Sequence, residues 1–380
     1  MTQEFVFAGN PGPNAAAMLK TLHDSGLSPR RLAVSKNLPG EIAQGSPGII
    51  MFGSDVKELG QIVQQVREER TLASVPVLAC VSSLDSDLLN EAFRSGMDDY
   101  LVTGVHEQFE ALVAILQKED TWRVVRAPAG QVILADSDRL ERVRFGRILR
   151  RNGFDTFFAG SIDELREATK LGNARVVIAA NTLPGGSLME LIEEIGQRDS
   201  ESLPWIVVAT SEEIDSFPSN FQENANTAVF ETGADAEGLT FVMNELLAPP
   251  PAGVRKSPRI LYGTPATYLH HGGKVPFYGF TYNVNIGGLY IRTLTPLPLQ
   301  THIEVTFTPP FGRGQVVANA QVVWCKQLGN AAGAASPPGM GIQFLHMEPA
   351  DKAGFEAGYM ILLEKNREIQ GNSMDPSPCA

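Results

Sequence analysis

The chain is poor in cysteine: Cys80, Cys325 and Cys379 lie far apart in its 380 residues, with no Cys-x-x-Cys pair. That excludes a disulfide framework and a paired-cysteine zinc site, and it suits a reducing compartment. Long apolar runs are also lacking, and no stretch approaches the roughly 20 residues of a membrane-spanning helix. The opening "MTQEFVFAG" has no basic segment leading into an apolar one, so a cytoplasmic location without membrane insertion is expected. Positive charge is in deficit, with 31 Lys and Arg against 43 Asp and Glu and a net charge of −12. General binding to nucleic-acid polymers or anionic lipid is thereby disfavoured, although a local basic patch can still hold an anion. No nucleophile, base and orienting group occur together in a recognisable pattern, "GRGQ" at 312–315 lacks the phosphate-loop spacing, and "GTPATY" at 263–268 is not a nucleotide motif. His270 and His271 are adjacent, so on a strand they point apart; with no third ligand evident they read as loop residues. Trp122, Trp205 and Trp324 read as core or edge packing. The expectation is a non-enzymatic protein without catalytic residues, metal or cofactor.

What the sequence does have is punctuation. "RAPAG" (126–130) and "APPPAG" (248–253) break the chain, and consecutive prolines favour an extended spacer. The expected organisation is 1–125, 130–248, a Pro-rich linker 249–256, 257–368 and a disordered tail 369–380. Residues 1 to about 247 are expected to fold without the rest.

The first two segments repeat one pattern. Each opens with an apolar run, "EFVFAG" (4–9) or "QVILADSD" (131–138), followed by an amphipathic stretch ending near Gly. Buried-looking strands follow in "PGIIMFGSD" (47–55) and "ARVVIAANTLPGG" (174–186), then Pro-led strands in "VPVLACVSS" (75–83) and "LPWIVVATS" (203–211). A last short strand ends in Thr-Gly, "DDYLVTG" (98–104) or "NTAVFETG" (226–233). Strands alternating with helices predict two tandem doubly wound α/β domains of flavodoxin-like type. Both segments resemble receiver domains of bacterial two-component systems. That family uses an acidic pair for magnesium, an Asp acceptor and a Lys-Pro, types suited to a hard cation and a phosphoryl group. Here the acidic pair of the first domain falls on Gly9 and Asn10 and the acceptor on Gly53, with Asp55 a loop carboxylate. In the second, Asp136 and Asp138 survive, but the acceptor position is Ala180 and its neighbour Asn181 cannot form an acyl phosphate. Thr103-Gly104 and Thr232-Gly233 replace Lys-Pro. The resemblance therefore implies degenerate receivers that serve as interaction modules, including a possible homodimer.

The third segment alternates apolar and polar residues at Ile303, Val305, Phe307 and again at Ile342, Phe344, between Gly/Pro/Asn turns. That predicts a small antiparallel β-barrel, closed by a helix near 350–366 with Phe355, Tyr359 and Leu362 on one face. "NVNIGGLYIRT" (283–293) reads as a tight turn feeding a half-buried strand. "RKSPR" supplies Arg255 and Arg259, and the turn supplies Asn283, Asn285 and Gly288. In that order these residues resemble the RxxxR and (D/N)xSxxG motifs of the PilZ domain, the bacterial receptor module for cyclic di-GMP. The resemblance implies that these five residues contact the nucleotide. Arg presents a planar fork matched to phosphate and to guanine O6 and N7. Asn285 stands where the family has Ser; a carboxamide still donates and accepts but is longer than a hydroxyl. Three readings remain open: a cyclic di-GMP receptor acting through protein contacts in motility, polarity or surface regulation; a PilZ-like adaptor that does not need the nucleotide; and a phosphorelay receiver, against which the missing acceptors count.

Overall fold

The computed structural model describes residues 4–10, 15–27, 29–69, 71–72, 75–118, 130–151, 154–197, 203–210, 213, 217, 226–232, 236–247, 257–328 and 336–370. In the first region the order is β1 (Glu4–Ala8), α1 (Ala15–Asp24), β2 (Pro29–Leu32), α2 (Leu38–Ala43), β3 (Pro47–Phe52), α3 (Leu59–Glu68), β4 (Val77–Val81), α4 (Ser86–Arg94), β5 (Asp99–Val102) and α5 (His106–Leu116). The second repeats it with β6 (Gln131–Ala135), α6 (Arg139–Arg151), β7 (Asp155–Ala159), α7 (Ile162–Lys170), β8 (Ala174–Ala180), α8 (Leu188–Gly196), β9 (Trp205–Ala209), β10 (Thr227–Glu231) and α9 (Ala236–Leu247). Both sheets are parallel, with orders β2-β1-β3-β4-β5 and β7-β6-β8-β9-β10. This is the doubly wound, flavodoxin-like order. The strands are apolar because helices cover both faces; every residue of Val77–Val81 is buried. Within it the Cys80 thiol is pushed up to about 12 by burial and packs as a small hydrophobe. Side-chain caps start several helices, with Asp85 accepting from the Asp87 and Leu88 amides and Ser161 and Ser187 opening α7 and α8.

The C-terminal region folds as β11 (Ile260–Leu261), β12 (Pro265–His270), β13 (Phe277–Asn285), β14 (Gly288–Arg292), β15 (His302–Phe307), β16 (Val316–Lys326), β17 (Gly339–Met347) and α10 (Pro349–Gln370). Strands pair as β13-β12-β15-β16-β17-β14, and a β13–β14 pairing closes the ring into an antiparallel barrel, with short β11 alongside β13. Helix α10 buries Phe355, Tyr359 and Leu363, and Phe355 packs on Phe307 and Phe344 of the barrel. The third of these is Leu363, not Leu362, because a stripe at i, i+4, i+8 from Phe355 falls there.

The chain divides into two compact units: residues 126–255 form the body of one, and the other joins 1–125 to the barrel. The seam in that joined unit runs along β5. Gln108 replaces a strand partner for β13, donating Nε2 to the Tyr278 carbonyl at 2.8 Å while the Tyr278 amide donates to its Oε1 at 3.0 Å. Leu294, just past β14, is buried in the same apolar cluster as Phe5, Phe7, Leu78 and Leu112. Phe93 and Tyr100 pack on Phe280 with ring centres 5.2 and 4.9 Å apart. A Cβ at Gly263 would lie 2.0 Å from the Phe93 ring, so only glycine allows that approach. Arg292 is 1% exposed and pairs with Asp98, which also pairs with Arg67 at 2.5 Å. The half-buried strand expected at 289–293 is thus buried throughout, since Arg292 and Thr293 bond to Asp98 and Asp99 while Tyr290 packs on Tyr282 and Trp324. The expectation that residues 1–247 fold alone is revised for the same reason.

Asp99 lies in this seam and accepts from the Leu294 amide at 2.7 Å, Thr293 Oγ1 at 2.8 Å and the Tyr100 amide at 2.8 Å. Burial outweighs those donors and pushes its carboxyl up to about 7, with neighbouring Asp98 adding to the rise. An unfolded Asp titrates near ~3.9, so between about 4 and 7 the folded chain holds the extra proton. The stabilising contribution of Asp99 is therefore full below about pH 4 and is lost as pH rises towards 7. Thermal melts at pH 5 and pH 8 are expected to show a decline that Asp99→Asn reduces; an unchanged decline in the variant refutes the assignment.

Candidate ligand site

The segment before β11 is fixed from both sides. Tyr359 Oη donates to the Pro258 carbonyl at 2.8 Å, and the Ile286 amide donates to Ser257 Oγ at 3.4 Å. Ile260 and Leu261 then pair with Val284 and Asn283. Arg259, exposed between these anchors, is thereby held beside the hairpin that joins β13 to β14. Arg255 lies outside the described residues.

The hairpin is tight, with Asn285 opposite Gly288 and only Ile286 and Gly287 between them. Asn285 Oδ1 accepts from the Gly287 amide at 3.2 Å, which is the local turn chemistry of this residue type. Gly288 does not serve the turn through an unusual backbone angle. A Cβ there would sit 2.1 Å from the Ile342 carbonyl oxygen, so glycine is needed for β14 to approach β17. Asn283 is buried within β13, at a register shift opposite Tyr290.

Two aromatic residues complete this end of the barrel. Tyr290 Oη donates to the Pro337 carbonyl at 2.7 Å, and its ring centre lies 5.5 Å from that of Trp324. Burial holds the Tyr290 hydroxyl well above its ordinary range, while the charges of Arg292 and Arg259 pull it down. Trp324 is 47% exposed. Strict alternation from buried Val322 would turn it inward, but a register shift between Val322 and Trp324 turns it out. The site thus offers a guanidinium, carboxamides and a flat indole, a set suited to a phosphate-bearing ligand with a ring that stacks.

Residues 254–358 match the PilZ domain family. The barrel is a PilZ domain. The PilZ match ties the chain to cyclic di-GMP-type signalling. No curated protein matches the sequence. Among solved structures, a PilZ domain of CeSA from a cellulose-synthesizing bacterium is 15% identical, covering 28% of this chain and 99% of that one at a TM-score of 0.22. A CheY-like protein from Pseudomonas aeruginosa is 20% identical over 31% of this chain and 96% of its own, with a TM-score of 0.26. A two-component response regulator/GGDEF domain protein is 16% identical over 64% of this chain and 98% of its own, with a TM-score of 0.35.

The receiver-like sheets place their expected acceptor positions at strand ends. Gly53 follows β3, and a Cβ there would come within 2.4 Å of the Asn10 carbonyl oxygen. Asp55 is spent on the Asn10 amide at 2.7 Å. Ala180 closes β8. Asp136 is buried, its carboxyl raised mainly by desolvation, and it accepts from the Asp138 amide at 2.7 Å. Acyl phosphate donors are expected to leave the chain unmodified, and Gly53→Asp to lower stability rather than create an acceptor. A base-labile phosphoaspartate at Asp55, Asp136 or Asp138 by mass spectrometry counts against this.

Elsewhere on the barrel, His270 ends β12 and His271 follows it, as a strand end and a turn rather than a loop pair. With His302 and Glu304 they line a cavity of about 430 Å³. Among the described residues no group of three such side chains is placed to hold a metal ion. Trp205 is buried, and Trp122 and Cys379 lie outside the described residues.

Proposed function

We propose that this protein is a non-enzymatic cyclic di-GMP receptor whose PilZ domain passes the signal on through protein contacts. The observation that supports it most is the clamping of Ser257 and Pro258, which holds Arg259 at the start of the β11–β13 pairing and next to the 285–288 hairpin. In this reading Arg259, together with Arg255, takes phosphate or the guanine edge, Asn283 and Asn285 add hydrogen bonds, and Gly288 sets the hairpin against β17. The receiver-like domains act as docking modules, including a homodimer, and the outputs are protein partners in motility, polarity or surface regulation. Among the described residues no helix is long and apolar enough to cross a membrane, and the proposed setting is the cytoplasm.

A second reading, an adaptor that works without the nucleotide, draws on the local duties of Asn285 and Gly288, which shape the hairpin without any ligand. Calorimetric titration with cyclic di-GMP separates the two. Binding by the unaltered protein, strengthened in Asn285→Ser, supports the receptor. Heat-silent titration of the unaltered protein, with binding gained only in Asn285→Ser, supports an adaptor.

A further inference from the structure

The two α/β sheets carry opposite chemistry at the same place. In the first, the edge strand is β2, Pro29-Arg30-Arg31-Leu32. Arg30 pairs with Glu4 at 2.8 Å and donates to the carbonyls of Glu41 and Ile42 at 2.9 and 2.8 Å. Proline and engaged charge are the usual guards of a strand edge. In the second, the corresponding edge is β7, Asp155-Thr-Phe-Phe-Ala, which among the described residues pairs only with β6. Phe157 and Phe158 are each 39% exposed, and as successive strand residues they point to opposite faces. The edge is therefore apolar on both sides.

Helix α6 runs beside it. Arg142, Gly146 and Arg150 stand one turn apart, so they share a row. That row faces β7: Arg142 reaches the Gly160 region, Phe158 lies against Gly146, and the Arg150 guanidinium sits 6.0 Å over the Phe158 ring. The next row outward, Arg139, Val143 and Arg147, is exposed. Leu140 is exposed beside it. A chain of net charge −12 thus places Arg139, Arg142, Arg144, Arg147, Arg150 and Arg151 in one helix.

We propose that β7 and the arginine row of α6 form a docking surface for an acidic, strand-forming segment of a partner protein. The open edge supplies backbone hydrogen bonds, Phe157 and Phe158 supply apolar contact on either face, and alternate acidic side chains meet Arg139 and Arg147. Charge argues against a second copy of this chain. Antiparallel pairing of two β7 strands about a two-fold axis places α6 beside its own image, with like charges in register. The overall negative charge argues against a lipid surface.

The test uses the full-length protein and two labelled heptapeptides, alternating Glu-Val and alternating Lys-Val. The Glu peptide is expected to bind at least about tenfold more tightly by fluorescence anisotropy, the gap narrowing with added salt. Hydrogen exchange is expected to slow at the β7 amides. Arg139→Glu with Arg147→Glu should erase the preference, and Phe158→Asp should abolish binding of either peptide, with melting unchanged in the arginine variant. Equal affinity for the two peptides, or protection away from β7, overturns the proposal. So does self-association lost in Phe158→Asp, which assigns the edge to a second copy. Adsorption to phosphatidylserine vesicles without peptide binding overturns it in favour of a membrane.

Discussion

Arg292→Ala is expected to destabilise the joined unit by about 3 kcal/mol, within the range for breaking a buried ion pair. Arg292 is fully buried between Asp98 and the face of Phe93, 5.7 Å from the ring centre. Removing it takes the guanidinium from Asp98, which still pairs with Arg67 and accepts from the Val77 amide, and opens a void at the seam. The exposed pair Lys170–Glu167 gives the contrast, since such surface pairs are worth about 0–1 kcal/mol. Gln108→Ala should fall between them, at about 1–3 kcal/mol, because it strands the backbone amide and carbonyl of Tyr278. Denaturant unfolding of the full chain checks the order. The same seam predicts that residues 1–247 expressed alone lose cooperative unfolding in their first half, because Tyr100, Phe93 and Asp99 are left uncovered. A first α/β region that melts cooperatively without the barrel, or an Arg292→Ala variant as stable as the parent, refutes the view that sheet and barrel fold together.

Cyclic di-GMP affinity should fall more than tenfold in Arg259→Ala, since a hydrogen bond to a charged group contributes about 1.5–3 kcal/mol. Arg259 is exposed, so its loss should leave the melting temperature where it was. Stability and binding are thus read separately, which is not possible at Arg292. Trp324→Ala should weaken binding as well if a guanine stacks on the indole, and intrinsic fluorescence should report the contact. Nucleotide affinity unchanged in Arg259→Ala removes the proposed anchor. Cellular function that survives Arg259→Ala refutes the receptor role even where the nucleotide binds in vitro.

Much of this protein was legible without coordinates. The buried parallel strands announce themselves as short apolar runs, since helices on both faces leave no polar side. The barrel announces itself by alternation, and the helix after it by a stripe from Phe355 that a turn count extends to Leu363. The edge strands β2 and β7 escaped such reading. "PRRL" and "DTFFA" are short and carry no continuous apolar signal, because an edge strand is covered on one side only. Trp324 escaped because a bulge reverses the strand's alternation, and a bulge depends on pairing with β17.

By itself, then, the sequence determined the element types, the repeated α/β pattern, the barrel, the residues of the candidate motif and the Gly53 and Ala180 that stand at the expected acceptor positions, all of which rest on local pattern or residue identity. Only the tertiary structure decided which surfaces meet. Arg292 in "YIRT" has the periodicity of a solvent-facing strand residue, and its burial follows from Asp98, 194 residues away in the chain. No local pattern encodes a partner at that separation. The same holds for Gly263 beneath Phe93, for Leu294 in the core of the first sheet, and for the clamp that presents Arg259.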